Sequence, residues 1–163
     1  MTNPEFSHIV DDRAKMVDIS HKVESLRSAR AVGSIKLKRS TINKIREGTV
    51  EKGNVLLTAR IAATLAVKNT PNVIPMCHSV PITDADTEFE IGRDRVTAHV
   101  TVKSVGKTGV EMEALHGVSV ALLTVWDMVK QEEKDETGNY PHTRVEEVKV
   151  ERKEKNKLLR TNF

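Results

Sequence analysis

The chain has 163 residues, of which 38% are hydrophobic and only 3% aromatic, so it can bury a core, and that core must be aliphatic. Its 26 Lys and Arg against 23 Asp and Glu leave a net charge of +3. That is too little for a polycation, and with so few rings it argues against a nucleic-acid module built on stacked bases. A single cysteine, Cys77, excludes an intrachain disulfide framework and any multi-cysteine zinc or iron–sulfur site.

The first residues, Met1-Thr2-Asn3-Pro4-Glu5, carry neither the basic nor the apolar character of a secretory signal. The longest near-apolar run, Val118 to Trp126, falls short of the ~20 residues of a membrane span, so a cytoplasmic protein with no membrane or nucleic-acid partner is expected. Residues 1–18 read as a flexible N-terminal arm, 19–153 as a single domain and 154–163 as a charged C-terminal tail. Arg30 to Lys38 ends in apolar–basic alternation and predicts a strand. Ser40 to Arg46 predicts a short helix stopped by Gly48. Asn54 to Asn69 predicts a longer helix, with Asn54 as N-cap and Pro71 beyond its end. One side of that helix carries Val55, Ala59, Ala62, Ala63 and Ala66, and the opposite side Leu57, Ile61 and Leu65. A helix apolar on two faces is expected to be covered twice, once by its own chain and once by another subunit.

Thr87–Ile91 and Arg95–Val102, joined by Gly92-Arg93-Asp94, read as a hairpin. Gly109 to Gln131 predicts the longest helix, opened by a capping box with Thr108 at the cap and Glu111 reaching back. Arg144 to Val150 predicts a last strand, and Glu151 to Phe163 an exposed, frayed end. The order strand, helix, helix, strand, strand, helix, strand predicts an α+β, ferredoxin-like fold with helices on one face of an antiparallel sheet.

Ser104-Val105-Gly106-Lys107-Thr108-Gly109 resembles a phosphate-binding loop, but the first glycine of that pattern would fall on Thr101, so the motif fails. Cys77 and His78 sit between Pro75 and Pro81, which fix the backbone around them. They read as a buried thiol beside a hydrogen-bonded imidazole, as a substrate contact, or as a nucleophile couple. Asp127 interrupts the apolar Trp126–Val129 stretch, and Lys130 lies at the i+3 position to pair with it. Lys52 precedes the alanine-rich helix; Arg27, Arg30, Lys68 and Lys107 complete a tally of cations for a polyanionic substrate. The six histidines show no metal spacing. Glu113 and Asp127 lie fourteen residues apart on one predicted helix, about 21 Å at ~1.5 Å per residue. One small reacting centre cannot span that, so a site assembled at a subunit interface is expected.

Six segments are specific enough to identify a family: Met16-Val17-Asp18-Ile19-Ser20, Lys52-Gly53-Asn54-Val55, Ala59-Arg60-Ile61-Ala62, Ile74-Pro75-Met76-Cys77-His78, Gly106 to Leu115, and Asp127-Met128-Val129-Lys130. In this order they closely resemble the MoaC family, the cyclic pyranopterin monophosphate synthases of molybdenum cofactor biosynthesis, from about Met16 to about Lys153. The resemblance implies a lyase. Its substrate is a cyclised dihydro-GTP supplied by a radical SAM enzyme, and its products are cyclic pyranopterin monophosphate and pyrophosphate. It implies a hexamer, a trimer of dimers, with active sites between subunits. It implies Asp127, Lys52 and Lys130 as catalytic residues. It implies substrate binding by Met76, Cys77 and His78, by Glu111, Met112 and Glu113, and by Arg27 and Lys153. No resident cofactor or metal is implied, beyond magnesium arriving with the triphosphate. The chain departs from the family pattern at Asn54, where aspartate is usual, at Ser79, where proline is usual, and after Lys153. There Glu154-Lys155-Asn156-Lys157 replaces a glycine-rich stretch common in bacterial members. A non-catalytic module binding a purine nucleotide or pterin is the alternative.

Overall fold

The computed structural model describes residues 9–10 and 13–158. Two two-residue strands, β1 (Ile9–Val10) and β2 (Arg13–Ala14), pair with each other within the expected arm, of which residues 1–8 and 11–12 lie outside the described residues. The remaining elements are β3 (Ser25–Lys36), α1 (Arg39–Glu47), α2 (Val55–Val73), β4 (Ile82–Ile91), β5 (Arg95–Gly106), α3 (Glu111–Glu133) and β6 (Arg144–Asn156). The main sheet runs β4-β5-β3-β6 with every neighbouring pair antiparallel. That strand order, with the helices inserted after β3 and β5, is the ferredoxin-like arrangement.

The core is aliphatic, as the composition requires. β5 alternates strictly, burying Val96, Ala98, Val100 and Val102 against α2 and α3. The alanine stripe of α2 faces α3, and Gly117 is the point of closest approach. A Cβ there would lie 2.8 Å from Val67 Cγ2 and 3.0 Å from Val100 Cγ1. By composition α3 is long and apolar enough to cross a membrane, yet Ala114, Val118, Ala121, Leu122, Val125 and Val129 are fully covered by the chain's own sheet and α2.

Several boundaries differ from the sequence reading. β3 starts five residues earlier than Arg30, because Ser25 to Ala29 find partners on β5 and Leu26 to Ala29 also on β6. Ser25 and Ser104 occupy buried, inward positions there, and these polar residues erase the apolar alternation. β4 likewise starts at Ile82, and β6 carries the charged end along β3 as far as Asn156, although those residues are exposed as expected. β6 also contains two register shifts against β3, one beside Arg30/Ala31 and one between Val32 and Ser34. Near the second, Glu147 takes φ 59°. α2 runs through Pro71 to Val73 rather than stopping before it. Pro71 falls in the last turn, where Thr70 Oγ1 donates to the Ala66 carbonyl and the Ile74 N–H to the Thr70 carbonyl, so little bonding is lost. Asn54 caps α2 as predicted, its Oδ1 accepting from the Leu57 N–H at 3.0 Å. The capping box on α3 does not form. The helix begins at Glu111 behind Val110, with no side-chain cap. The Glu111 carboxylate instead folds over Gly109, into space that any side chain there would need.

The C-terminal end of α3 is anchored by Glu133, which is fully buried and accepts from the Lys38 N–H at 3.1 Å and from the Thr143 hydroxyl. Lys38 Nζ in turn donates to the carbonyls of Glu132 and Lys134 at 3.0 and 2.9 Å. Replacing Glu133 by Leu leaves the Lys38 amide and Thr143 without an acceptor. The expected cost is about 1–3 kcal/mol, seen as a lowered midpoint in urea with an unchanged slope.

Candidate functional site

Two turns before its C-terminus, α3 presents Asp127 between two ammonium groups. Lys130 Nζ donates to Oδ1 at 2.8 Å, and Lys52 Nζ to Oδ2 and to the Asp127 carbonyl, both at 2.8 Å. Lys130 arrives by helical spacing. Lys52 arrives from the turn before α2, where Gly53 takes φ 98° and lets the chain turn from the lysine into the Asn54 cap. Asparagine caps as well as aspartate does, so the Asn54 departure leaves this turn intact. Lys130, then Lys52, hold the Asp127 carboxyl down to about 2, and Asp127 in turn raises Lys130. All three side chains are substantially exposed. Burial therefore does not lift Asp127 toward neutrality in this chain; paired cations lower it instead.

At the other end of α3 lies a cleft of about 380 Å³ walled by Val17 and Ile19, by Met76, Cys77 and His78, and by Thr108 to Gly109 with Glu111 to Glu113. The proline-bounded segment and the first turn of α3 are thus brought together. His78 Nε2 lies 2.8 Å from the Val17 carbonyl, so it carries the proton and donates. No hydrogen bond joins Cys77 to His78 among the described residues. Burial, and then Glu113, push the Cys77 thiol up, so it is not an activated nucleophile. Burial pushes Glu113 up, helped by the neighbouring charge of Glu111. Glu111 is also buried in part, but Lys153, 2.9 Å away, outweighs that and holds it below the usual range. Two carboxyls two residues apart are thus driven in opposite directions.

Beside this cleft is a second of about 440 Å³, lined by Lys22, Arg27, Lys107, Lys153 and Lys155 together with Glu111, Glu154, Ser28, Thr108 and Gly109. Arg27 Nη2 reaches the Lys107 carbonyl at 3.5 Å, and Arg27 Nε is buried with no partner. Lys107 Nζ donates to the Ser20 carbonyl at 2.8 Å, tying the β5–α3 turn to the loop that carries Lys22. Lys22 borders both clefts, and neither it nor Lys155 figures in the sequence-derived tally of cations. Lys22 stands two residues beyond the Met16–Ser20 segment, which was its only signal. Arg30 does not join the lining. It lies on the opposite face of the sheet, paired with Glu88 at 2.8 Å and Glu151 at 2.9 Å.

The predicted site residues thus form two groups, not one. Met76, Cys77, His78, Glu111, Met112, Glu113, Arg27 and Lys153 gather at the start of α3; Lys52, Asp127 and Lys130 gather near its end. The helix between them is continuous, so the groups stand about 21 Å apart. The outer stripe of α2 remains uncovered: Leu57, Ile61 and Leu65 are each more than half exposed, as is Leu123 on α3.

The chain is thus an antiparallel α+β domain with a cation-lined cleft and a separate lysine–carboxylate cluster, charge of the sign that suits a polyanionic small molecule. The sequence profile of the MoaC family matches residues 16–156, and the chain belongs to that family. A probable cyclic pyranopterin monophosphate synthase from Methanococcoides burtonii is 68% identical over 151 residues, 93% of this chain and 95% of the relative. The protein of that name from Methanosarcina acetivorans is 67% identical over 89% of this chain and 92% of its own length. A relative from Methanothermobacter thermautotrophicus, 54% identical over 97% of this chain and 99% of its own, is named a probable cyclic pyranopterin monophosphate synthase accessory protein.

Proposed function

We propose that the chain is a cyclic pyranopterin monophosphate synthase. It is a lyase of molybdenum cofactor biosynthesis that takes a cyclised dihydro-GTP from a radical SAM enzyme and releases pyrophosphate. Family membership and the names of its relatives support the reaction class. The observation that carries the chemistry is the Lys52–Asp127–Lys130 cluster, two ammonium groups held on one exposed carboxylate. Loss of pyrophosphate develops negative charge on the departing oxygens, and ammonium groups already in place stabilise it without reorganisation. Asp127, held at about 2, stays ionised throughout the neutral range. Its first task is to hold the two lysines in register, and it gains basicity when a phosphate draws one of them away.

The cleft at the start of α3 suits the ring system. A carboxyl whose burial favours the proton, Glu113, stands in a wall that also carries Met76, Cys77, Ile19 and Val17. Such a group can exchange a proton with a ring nitrogen. The basic cleft beside it suits the triphosphate. No resident cofactor is required by this reading, and magnesium carried by the triphosphate belongs to the substrate. The two groups work on one substrate only when a second chain brings its Asp127 cluster to the first chain's cleft. The exposed Leu57–Ile61–Leu65 stripe offers an apolar face for such an assembly, in line with a hexamer built from dimers. A cytoplasmic location follows from the source of the substrate.

The test is pyrophosphate release from the cyclised dihydro-GTP, with GTP as control. Release from the intermediate alone, together with a cyclic pterin product, is the expected result. Binding without release would leave the non-catalytic module, the reading that an accessory role would favour.

A further inference from the structure

We propose that Lys155, held on β6, is a binding contact for the far end of the substrate's polyphosphate. The proposal rests on the triphosphate reading above.

The register places Lys155 opposite Arg27 and Lys153 opposite Ala29. Ala29 is buried beneath the helices, so this is the face of the sheet that meets α3. Strand residues two apart share a face about 6.6 Å apart, so Lys153 and Lys155 form a row along the cleft floor. The intervening Glu154 stands opposite Ser28 and also borders the cleft, but its carboxylate is taken up by Arg152 at 3.4 Å. Lys153 is engaged by Glu111 at 2.9 Å. Lys155 makes no ion pair among the described residues, and its cross-strand neighbour Arg27 has a buried Nε with no partner. The cleft's two carboxylates, Glu111 and Glu154, are each engaged by a cation, which leaves Lys155 and the unmet Arg27 donor without an anionic partner among the described residues. A terminal phosphate supplies one. Because β6 is hydrogen-bonded along β3 as far as Asn156, Lys155 stands on a fixed strand, which lowers the ordering cost of that contact relative to a flexible segment.

The expected effect is on binding, not on chemistry. Tripolyphosphate serves as the probe, titrated by calorimetry into the purified full chain, alongside steady-state pyrophosphate release from the cyclised dihydro-GTP. Lys155→Gln is expected to weaken tripolyphosphate binding about fivefold and to raise KM by a similar factor with kcat retained. Lys155→Arg is expected to restore both, and rising salt to narrow the gap between Lys155→Gln and wild type. Wild-type tripolyphosphate affinity in Lys155→Gln would overturn the proposal, as would no tripolyphosphate binding by an active wild-type enzyme. If the wild-type chain releases no pyrophosphate, the synthase reading fails, and the tripolyphosphate titration still decides whether Lys155 forms the anion contact.

Discussion

Asp127→Asn is expected to abolish most turnover while leaving the fold intact. The substitution keeps the shape of the side chain but removes the charge that holds Lys52 and Lys130, both at 2.8 Å, and it aims an amide donor at one of them. A loss of about a hundredfold to ten-thousandfold in kcat is expected, the range for a group that takes part in proton transfer or charge stabilisation at the reacting centre. The carboxylate is largely exposed, so the thermal midpoint should move little. The pH dependence has a definite sign. The folded value, about 2, lies below the ordinary 3.8. The ion pairs' contribution to stability is therefore complete above about pH 4 and is lost as pH falls through about 2. In consequence Asp127 contributes no acid limb to a rate profile measured between pH 5 and 9. Burial moves Glu113 in the opposite direction, upward, so an acid limb assigned to Glu113 should vanish in Glu113→Gln. Wild-type product formation by Asp127→Asn would remove Asp127 from the catalytic role.

Two inactive chains are expected to rescue each other. Asp127→Asn damages the cluster near the end of α3, and Glu113→Gln the cleft at its start, about 21 Å away along one continuous helix. If one chain's cleft works with another chain's lysine cluster, a mixed oligomer contains some sites whose two halves are both intact. Random association of equal amounts should restore about a quarter of wild-type activity. Mixing requires dissociation and reassembly, so co-expression or refolding from urea is the appropriate preparation. Failure of a verified mixed oligomer to recover activity would mean that each site is completed within one chain.

Strict periodicity made the fold readable: the alternation of β5, the alanine stripe of α2 and the heptad-like spacing of α3 each point to one buried face. It failed where function intrudes. Ser25, Arg27 and Ser104 stand on inward-facing positions beside the clefts, and this polar stretch hid the first turn of β3 and the last of β5. The capping-box expectation failed for a related reason, since Glu111 is drawn to Lys153, 42 residues away, a contact that no local pattern encodes. Among the site residues, Lys130 beside Asp127 was legible from helical spacing. The distance argument also anticipated the division into two groups, whereas Lys52 meeting Asp127 depends on how α2 packs on α3. Lys155 was hidden by the assumption that a dense mixture of charges frays, when in fact β3 offers it an unfilled edge.

The two irregularities in β6 act as a phase control on charge. One extra residue in a strand inverts which side chains face which way, and a second restores the original sense. Val148 and Val150 are thereby turned toward the helices in the middle of the strand, with Val148 packed against Gly33. Beyond the shift at Arg30/Ala31, Lys153 and Lys155 of the Lys-Glu-Lys run 153–155 stand on the helix-facing side of the sheet with Ala29, and Glu154 on the other. Removing a single residue between the shifts would exchange those roles. It would set Glu154 on the helix-facing side and turn both lysines outward, reversing the sign of the cleft floor without changing one charged residue of the composition. The polarity of this basic wall is thus written in backbone register, so length changes in β6 matter to the cleft as much as substitutions do.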